Sequence, residues 1–361
     1  MKSRNNRTIL ALGADIKSRF CILKNNNLTL SKDFGNLGDL DNFDHFKNSI
    51  LRINSRFDVV AFDLHPGYFS SRFADTLKAR KKLAIQHHHA HIAAALSARQ
   101  INRPVIGVAF DGTGYGIDGN IWGGEFMVVD DAHCKRITHF KYLKMPGAEL
   151  VIKEPWRMAF SLIYYYLGDE IFKQDLKFLR LHPRSYYDVL IKMQKHNINS
   201  PLTSSVGRLF DAVSSILGIS HKINYEAEAA IKLEQLANKS QDNSYYEFDI
   251  LEKDKVWLIG YYKLVKGLLS DIKNRMPKQD IARRFHNSLV ILTIRIINRI
   301  SHDYNLKDVV LSGGVFANKL IFNSLKQKLS DAGYNLIYNK EIPINDLGIC
   351  LGQVYVAKNS K

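Results

Sequence analysis

This sequence predicts an α/β fold with two lobes facing a cleft, and three observations lead there. Strand-length apolar stretches alternate with helix-period segments at both ends of the chain, the pattern of helices layered on a largely parallel sheet. Between these ends lies a run of helical segments too long for one more layer, which reads as an insertion in the second lobe. The 361 residues, 46% of them hydrophobic, suffice for one large core or for two lobes.

Taken in order, residues 9–14, 20–24 and 28–32 read as a strand meander and 40–53 as a helix. Residues 58–64 form a buried strand around Val59-Val60-Ala61-Phe62, followed by a helix over 69–82. A helix over 87–99 leads to a strand over 104–110. After Trp122-Gly123-Gly124-Glu125 and a further pair of strands, residues 154–167, 170–181, 186–196, 207–217 and 226–238 read as helices. A hairpin over 246–259 precedes helices at 261–274 and 281–302. Alternation then returns with a strand at 308–311, a helix at 316–332, a strand at 336–338 and a last helix from Gly348. No internal repeat is evident. The lobes are expected to divide near Asp130, giving 1–130, 131–344 and a final helix, 345–361, packing back between them.

The net charge of +16 favours anionic partners such as nucleotides, phosphates, RNA or an acidic protein. The only tight clusters, residues 78–82 and Arg283-Arg284, read as solvated helix faces. Basic and aromatic residues do not interleave as single-stranded nucleic acid requires, so nucleic acid is not an expected partner. Cys21, Cys134 and Cys350 lie far apart with no Cys-x-x-Cys pair, as in a cytoplasmic protein without disulfides. The basic start, residues 1–7, runs into an apolar stretch that Asp15 and Lys17 interrupt, so a first strand is expected rather than a leader. Arg295 breaks the most apolar helix, and no membrane span is expected.

Gln86-His87-His88-His89-Ala90-His91 is the densest chemical signal. On a helix His87 and His91 share one face and can reach one divalent ion, while His88 and His89 turn away; an exposed polar helix start is the alternative. Asp111-Gly112-Thr113-Gly114-Tyr115-Gly116 follows a strand, where the carboxylate can complete a metal site and the amides can meet an anion; Asp-Gly hairpin chemistry competes. Ser312-Gly313-Gly314-Val315-Phe316-Ala317-Asn318 joins a strand to a helix and reads as a phosphate cradle or as a plain tight turn. Gly13, Asp15 and Lys17 form a weaker turn of the same kind. His65, after Asp63-Leu64 at a strand end, is a candidate catalytic group with Asp111, or else a satisfied structural histidine. Asp211 either pairs with Arg208 or binds a ligand hydroxyl, and Asp346 reads first as a helix N-cap.

Together these segments, with Glu154-Pro155-Trp156-Arg157, residues 201–213 and Leu351-Gly352-Gln353, resemble the transferase half of the HypF family of hydrogenase-maturation carbamoyltransferases. The resemblance implies the two-lobed actin/Hsp70-type ATPase fold shared with the tRNA threonylcarbamoyl-transferring family. It implies His87, His91 and Asp346 as metal ligands with Asp111 a nearby fourth; the ion would be iron or zinc, with magnesium as an alternative. Gly313, Gly314 and Asn318 would lie at nucleotide phosphates and Asp211 at the ribose of an ATP or AMP moiety, with Gly112, Gly114, Gly13 and Lys17 lining the same cofactor site.

The reaction implied is carbamoyl transfer from carbamoyl-adenylate to the C-terminal cysteine of a HypE-like maturation protein. The family's acylphosphatase, zinc-module and adylate-forming segments have no counterpart in this sequence, so a separate protein is expected to supply the carbamoyl-adenylate. Glu226-Ala227-Glu228 stands where the family carries a glycine near the adenosine, and Leu347 where it carries one beside Asp346. O-carbamoylation of a small molecule, tRNA threonylcarbamoyl transfer and a non-catalytic nucleotide-binding scaffold are the competing readings.

Overall fold

Short apolar runs at the N-terminus assemble a five-stranded sheet. A computed structural model describes residues 7–253, 256–338 and 345–360; residues 1–6, 254–255, 339–344 and 361, which include part of the expected hairpin and Pro343-Ile344, lie outside them. β1 (Ile9–Ala11), β2 (Cys21–Lys24) and β3 (Asn27–Leu30) form an antiparallel meander. Helix α1 (Leu40–Leu51), capped by the Asp39 side chain, leads to β4 (Phe57–Asp63), and α2 (Phe69–Thr76) leads to β5 (Ala79–Ile85). β4 runs parallel to β1 and β5 parallel to β4, giving the order β3-β2-β1-β4-β5.

Helix α3 (His87–Arg99) carries the chain to a second sheet through β6 (Val105–Phe110), β7 (Gly124–Asp130) and β8 (His133–Phe140). The insertion follows: β9 (Leu143–Lys144), α4 (Leu150–Lys153), α5 (Trp156–Leu167), α6 (Arg184–Lys195), β10 (Leu202–Thr203), α7 (Val206–Ile216), α8 (Glu228–Ala237), β11 (Asp249–Lys253), β12 (Val256–Gly260), α9 (Tyr262–Lys273) and α10 (Lys278–Tyr304). β13 (Asp308–Ser312), α11 (Lys319–Asp331), β14 (Asn335–Ile337) and α12 (Ile349–Asn359) complete the chain. The second sheet has the order β11-β12-β8-β7-β6-β13-β14.

Its central part, β8-β7-β6-β13-β14, repeats the first sheet: an antiparallel meander, then two parallel strands reached by crossovers. This doubled unit is the actin/Hsp70-type architecture. Both copies need only matching apolar patterns, so the repeat leaves no trace in residue identities.

Between the sheets lie α3 and α12. Gly352 sets their separation, because a Cβ there would run into the Ala90 carbonyl oxygen. One core joins Ile9 and Ala61 of the first sheet, Ala93 and Val354 of the helix pair, and Ala109 and Val310 of the second sheet. Among the described residues no helix is long and apolar enough to cross a membrane.

Three sequence expectations change. A division near Asp130 falls between β7 and β8, which are hydrogen-bonded neighbours; the chain changes sheets earlier, between β5 and β6. The helix expected over 69–82 ends at Thr76, and residues 79–85 form edge strand β5. Arg80, Lys81 and Lys82 are therefore the charged residues that protect a sheet edge, not a helix face. The helix expected over 170–181 is two short 3₁₀ turns, Gly168–Lys173 and Lys177–Arg180, which serve to bury Ile171 and Phe178.

Candidate metal centre and nucleotide cleft

Helix α3 starts immediately after β5, with the Gln86 side chain capping the His89 amide, so its first turn opens at the strand ends. Alanine-rich continuation compensates for the poor helix propensity of four histidines. All four are buried, which removes the reading of an exposed polar helix start. His87 and His91 project from one face. The His87 Nε2 lies 3.5 Å from Asp111 Oδ2 and 3.7 Å from Asp346 Oδ1, and the His91 Nε2 lies 3.3 and 3.4 Å from the same atoms. The four ligand atoms fall within 4.8 Å of one another.

Both Nε2 atoms are buried without a hydrogen-bond partner. Unpaired buried nitrogens facing two carboxylates are costly unless something binds between them, and two imidazoles with two carboxylates suit a divalent transition metal. The donor set fits such an ion. His87 Nδ1 lies 2.7 Å from Asp63 Oδ2, so the proton sits on Nδ1 and the Nε2 lone pair faces the site. Without an ion, burial opposes charging of both rings, but Asp63, Asp111 and Asp346 overcome it and raise His87 well above, and His91 above, the ordinary histidine range. Asp111 is held well below its usual range by the same two rings, against its burial.

His88 and His89 do not join the tetrad. The His88 ring fits beneath Gly114, where a Cβ would collide with it, and burial with the neighbouring His87 depresses it to about 3. Burial holds His89 near 4. The capping reading of Asp346 also yields: in the short turn Asp346–Gly348 the cap is Asn345, whose side chain accepts from the Leu347 amide.

A cleft of about 430 Å³ opens beside the tetrad, and Asp111 and Asp346 belong to both. Lys17, Gly112, Asp211, Gly314 and Asn318, all singled out in the sequence, line it. Asp211 is 2.8 Å from Arg208 Nε, and burial raises it to about 6 despite that cation. Asn318 caps α11 with its oxygen, its Nδ2 meets His286 Nε2 at 3.0 Å, and its amide and carbonyl are engaged by Val315 and Phe322, so its role at the cleft is to shape the wall.

Other candidates sit elsewhere. Gly13 is clamped by Gln353, which accepts from its amide and donates to its carbonyl. Gly114 makes room for His88, and Gly313 lies against Phe110. Asp15 accepts from the amides of Phe69 and Ser70 at the start of α2 and is a helix cap. His65 stacks on Tyr68 at 4.2 Å, and its Nδ1 accepts from the Gly67 amide; it stays outside the tetrad. Sequence reading missed Asp63 as the orienting partner of His87; its position two residues before His65 at a strand end was the available signal.

Residues 107–353 match the model of a carbamoyltransferase, Kae1-like domain, second subdomain, and residues 4–98 match the HypF Kae1-like domain. The chain belongs to the HypF family. It is 31% identical to Carbamoyltransferase HypF of Synechocystis, over 96% of this chain and 47% of that protein. It is equally similar, 31%, to a carbamoyltransferase HypF homolog of Cupriavidus necator, over 97% of this chain and 91% of the other. The crystal structure of full-length HypF in its phosphate- and nucleotide-bound form superposes with a TM-score of 0.92 at 35% identity, covering 99% of this chain and 56% of that one. The chain thus spans about half the length of most curated HypF relatives it matches.

One residue of the cleft wall has a measurable conformational cost. Ala227 precedes α8 at φ 61, in the left-handed region, and lines the cleft. A Cβ there costs about 1 kcal/mol. Ala227→Gly is therefore expected to stabilise the protein by about 0.5 kcal/mol or more, because the more flexible unfolded glycine offsets part of the relief. The readout is a higher urea midpoint with an unchanged slope.

Proposed function

We propose that the cleft holds carbamoyl-adenylate and that the chain transfers its carbamoyl group to the C-terminal cysteine thiol of a HypE-like maturation partner, on the way to the cyanide ligands of [NiFe]-hydrogenase. The observation that carries this reading is that Asp111 and Asp346 are shared by the metal tetrad and the cleft wall. A ligand in the cleft would have its reacting end at the ion and its nucleoside end toward α8.

A divalent ion held by His87, His91, Asp111 and Asp346 would supply Lewis acidity at the carbamoyl carbonyl oxygen. Asp63 fixes the ring of His87 so that its Nε2 faces the site. Asp111 also ties two loops together, its Oδ1 accepting from the amides of Gly112 and Gly314. Asp211, beside Arg208, presents a buried carboxylate to the ribose hydroxyls. The partner's thiolate forms the new C–S bond, the C–O bond to the phosphate breaks, and AMP leaves with that electron pair. Carbamoyl-adenylate would come from a separate activating protein or domain.

The test supplies carbamoyl-adenylate and a peptide ending in cysteine to the metal-loaded chain, and follows AMP and the thiocarbamate by mass spectrometry. Equal yields of both are expected. AMP release that the peptide leaves unchanged, with no thiocarbamate formed, would reduce the reaction to hydrolysis.

A further inference from the structure

Among the described residues, both cations lining the cleft are engaged by a carboxylate. The described lining includes five acidic residues, Asp111, Asp211, Glu226, Glu234 and Asp346, and two basic ones, Lys17 and Arg208. Arg208 is paired with Asp211. Lys17, on the turn between β1 and β2, reaches across to Glu226 ahead of α8, with its Nζ 3.1 and 3.0 Å from the two carboxylate oxygens. The amides of Gly112 and Gly314, which a phosphate chain could otherwise use, donate to Asp111.

With Asp111 and Asp346 given to the ion and Asp211 to Arg208, a longer phosphate chain still meets Glu226 and Glu234, and Lys17 is held by the first of them. A nucleoside monophosphate ester brings little charge, whereas a triphosphate has to take Lys17 from Glu226 and then lie beside the released carboxylate. We infer that Glu226 is a specificity-determining residue, which makes the cleft select nucleoside monophosphates over di- and triphosphates by occupying Lys17 and by its own charge. This rests on the nucleotide reading of the cleft proposed above.

The side chains of Lys17 and Glu226 are 37% and 69% exposed, so the effect is partly screened and is read as a ratio. The experiment measures the dissociation constants of AMP and ATP by calorimetry, without added Mg²⁺, for the unaltered protein, Glu226→Gln and Glu226→Asp. The unaltered protein is expected to prefer AMP. Glu226→Gln is expected to tighten ATP about fivefold and AMP less than about twofold, the scale of one partly exposed ion pair. Glu226→Asp, which keeps the charge, is expected to hold the original preference.

An AMP-to-ATP ratio unchanged in Glu226→Gln, or shifted equally in Glu226→Asp, overturns the role of Glu226 while leaving the nucleotide site in place. Failure of the folded protein to bind either nucleotide overturns the site itself, and the inference with it.

Discussion

His87→Ala and His91→Ala are expected to abolish stoichiometric metal binding, while His88→Ala and His89→Ala keep it. The first two remove Nε2 atoms that lie 3.3–3.7 Å from the carboxylates of Asp111 and Asp346. Loss of one of four ligands is expected to weaken affinity by more than about 100-fold, beyond the range seen when only an outer-shell partner is lost. His88→Ala instead empties space beneath Gly114 beside Trp122, and its cost is stability, about 1–3 kcal/mol for a large-to-small change in a core. Metal analysis and melting temperature on the four variants separate the outcomes. Equal metal loss at all four would break the link between ligand role and helical spacing.

Asp346→Asn should lower metal affinity at least about tenfold. Capping is not at stake, because Asn345 already performs it. The metal-free protein is not indifferent, however. His87 and His91 pull the Asp346 carboxyl down to about 2 from 3.8 despite its burial. A depressed carboxyl stabilises the fold above its unfolded value near 3.8, and that contribution disappears as the pH falls toward 2. At neutral pH the asparagine variant is therefore expected to lose at most about 2 kcal/mol without metal, with the difference from the unaltered protein closing in acid. Unchanged metal affinity would remove Asp346 from the coordination set.

The residues whose placement was legible are those brought together by local spacing. His87 and His91 stand one helical turn apart, and that alone brings their rings together. The place of Asp346 beside the two histidines was indicated only by family resemblance, since locally it is one more acid before a helix. The strand-end position of Asp63 marked it as a site residue, but its pairing with His87 depends on the parallel register of β4 with β5, which no short-range pattern encodes. The same limit hid β5 itself: Ala79-Arg80-Lys81-Lys82 has charged edge positions in place of an alternating apolar face. Glycines misled in the opposite direction. Gly13 and Gly114 were read as ligand-facing, yet one meets Gln353 and the other makes room for His88, contacts set by tertiary packing alone.

The close crossing of α3 and α12 also bears on the order in which a ribosome delivers the parts. The first sheet is synthesised before the helix that covers one of its faces and before the Gln353 side chain that clamps the turn at Gly13. Until α12 emerges, that face lacks the apolar cover that joins it to the second sheet, and the first lobe's core is incomplete. The Asp346 carboxylate lies just ahead of α12, so it joins His87, His91 and Asp111 only when this late segment is in place.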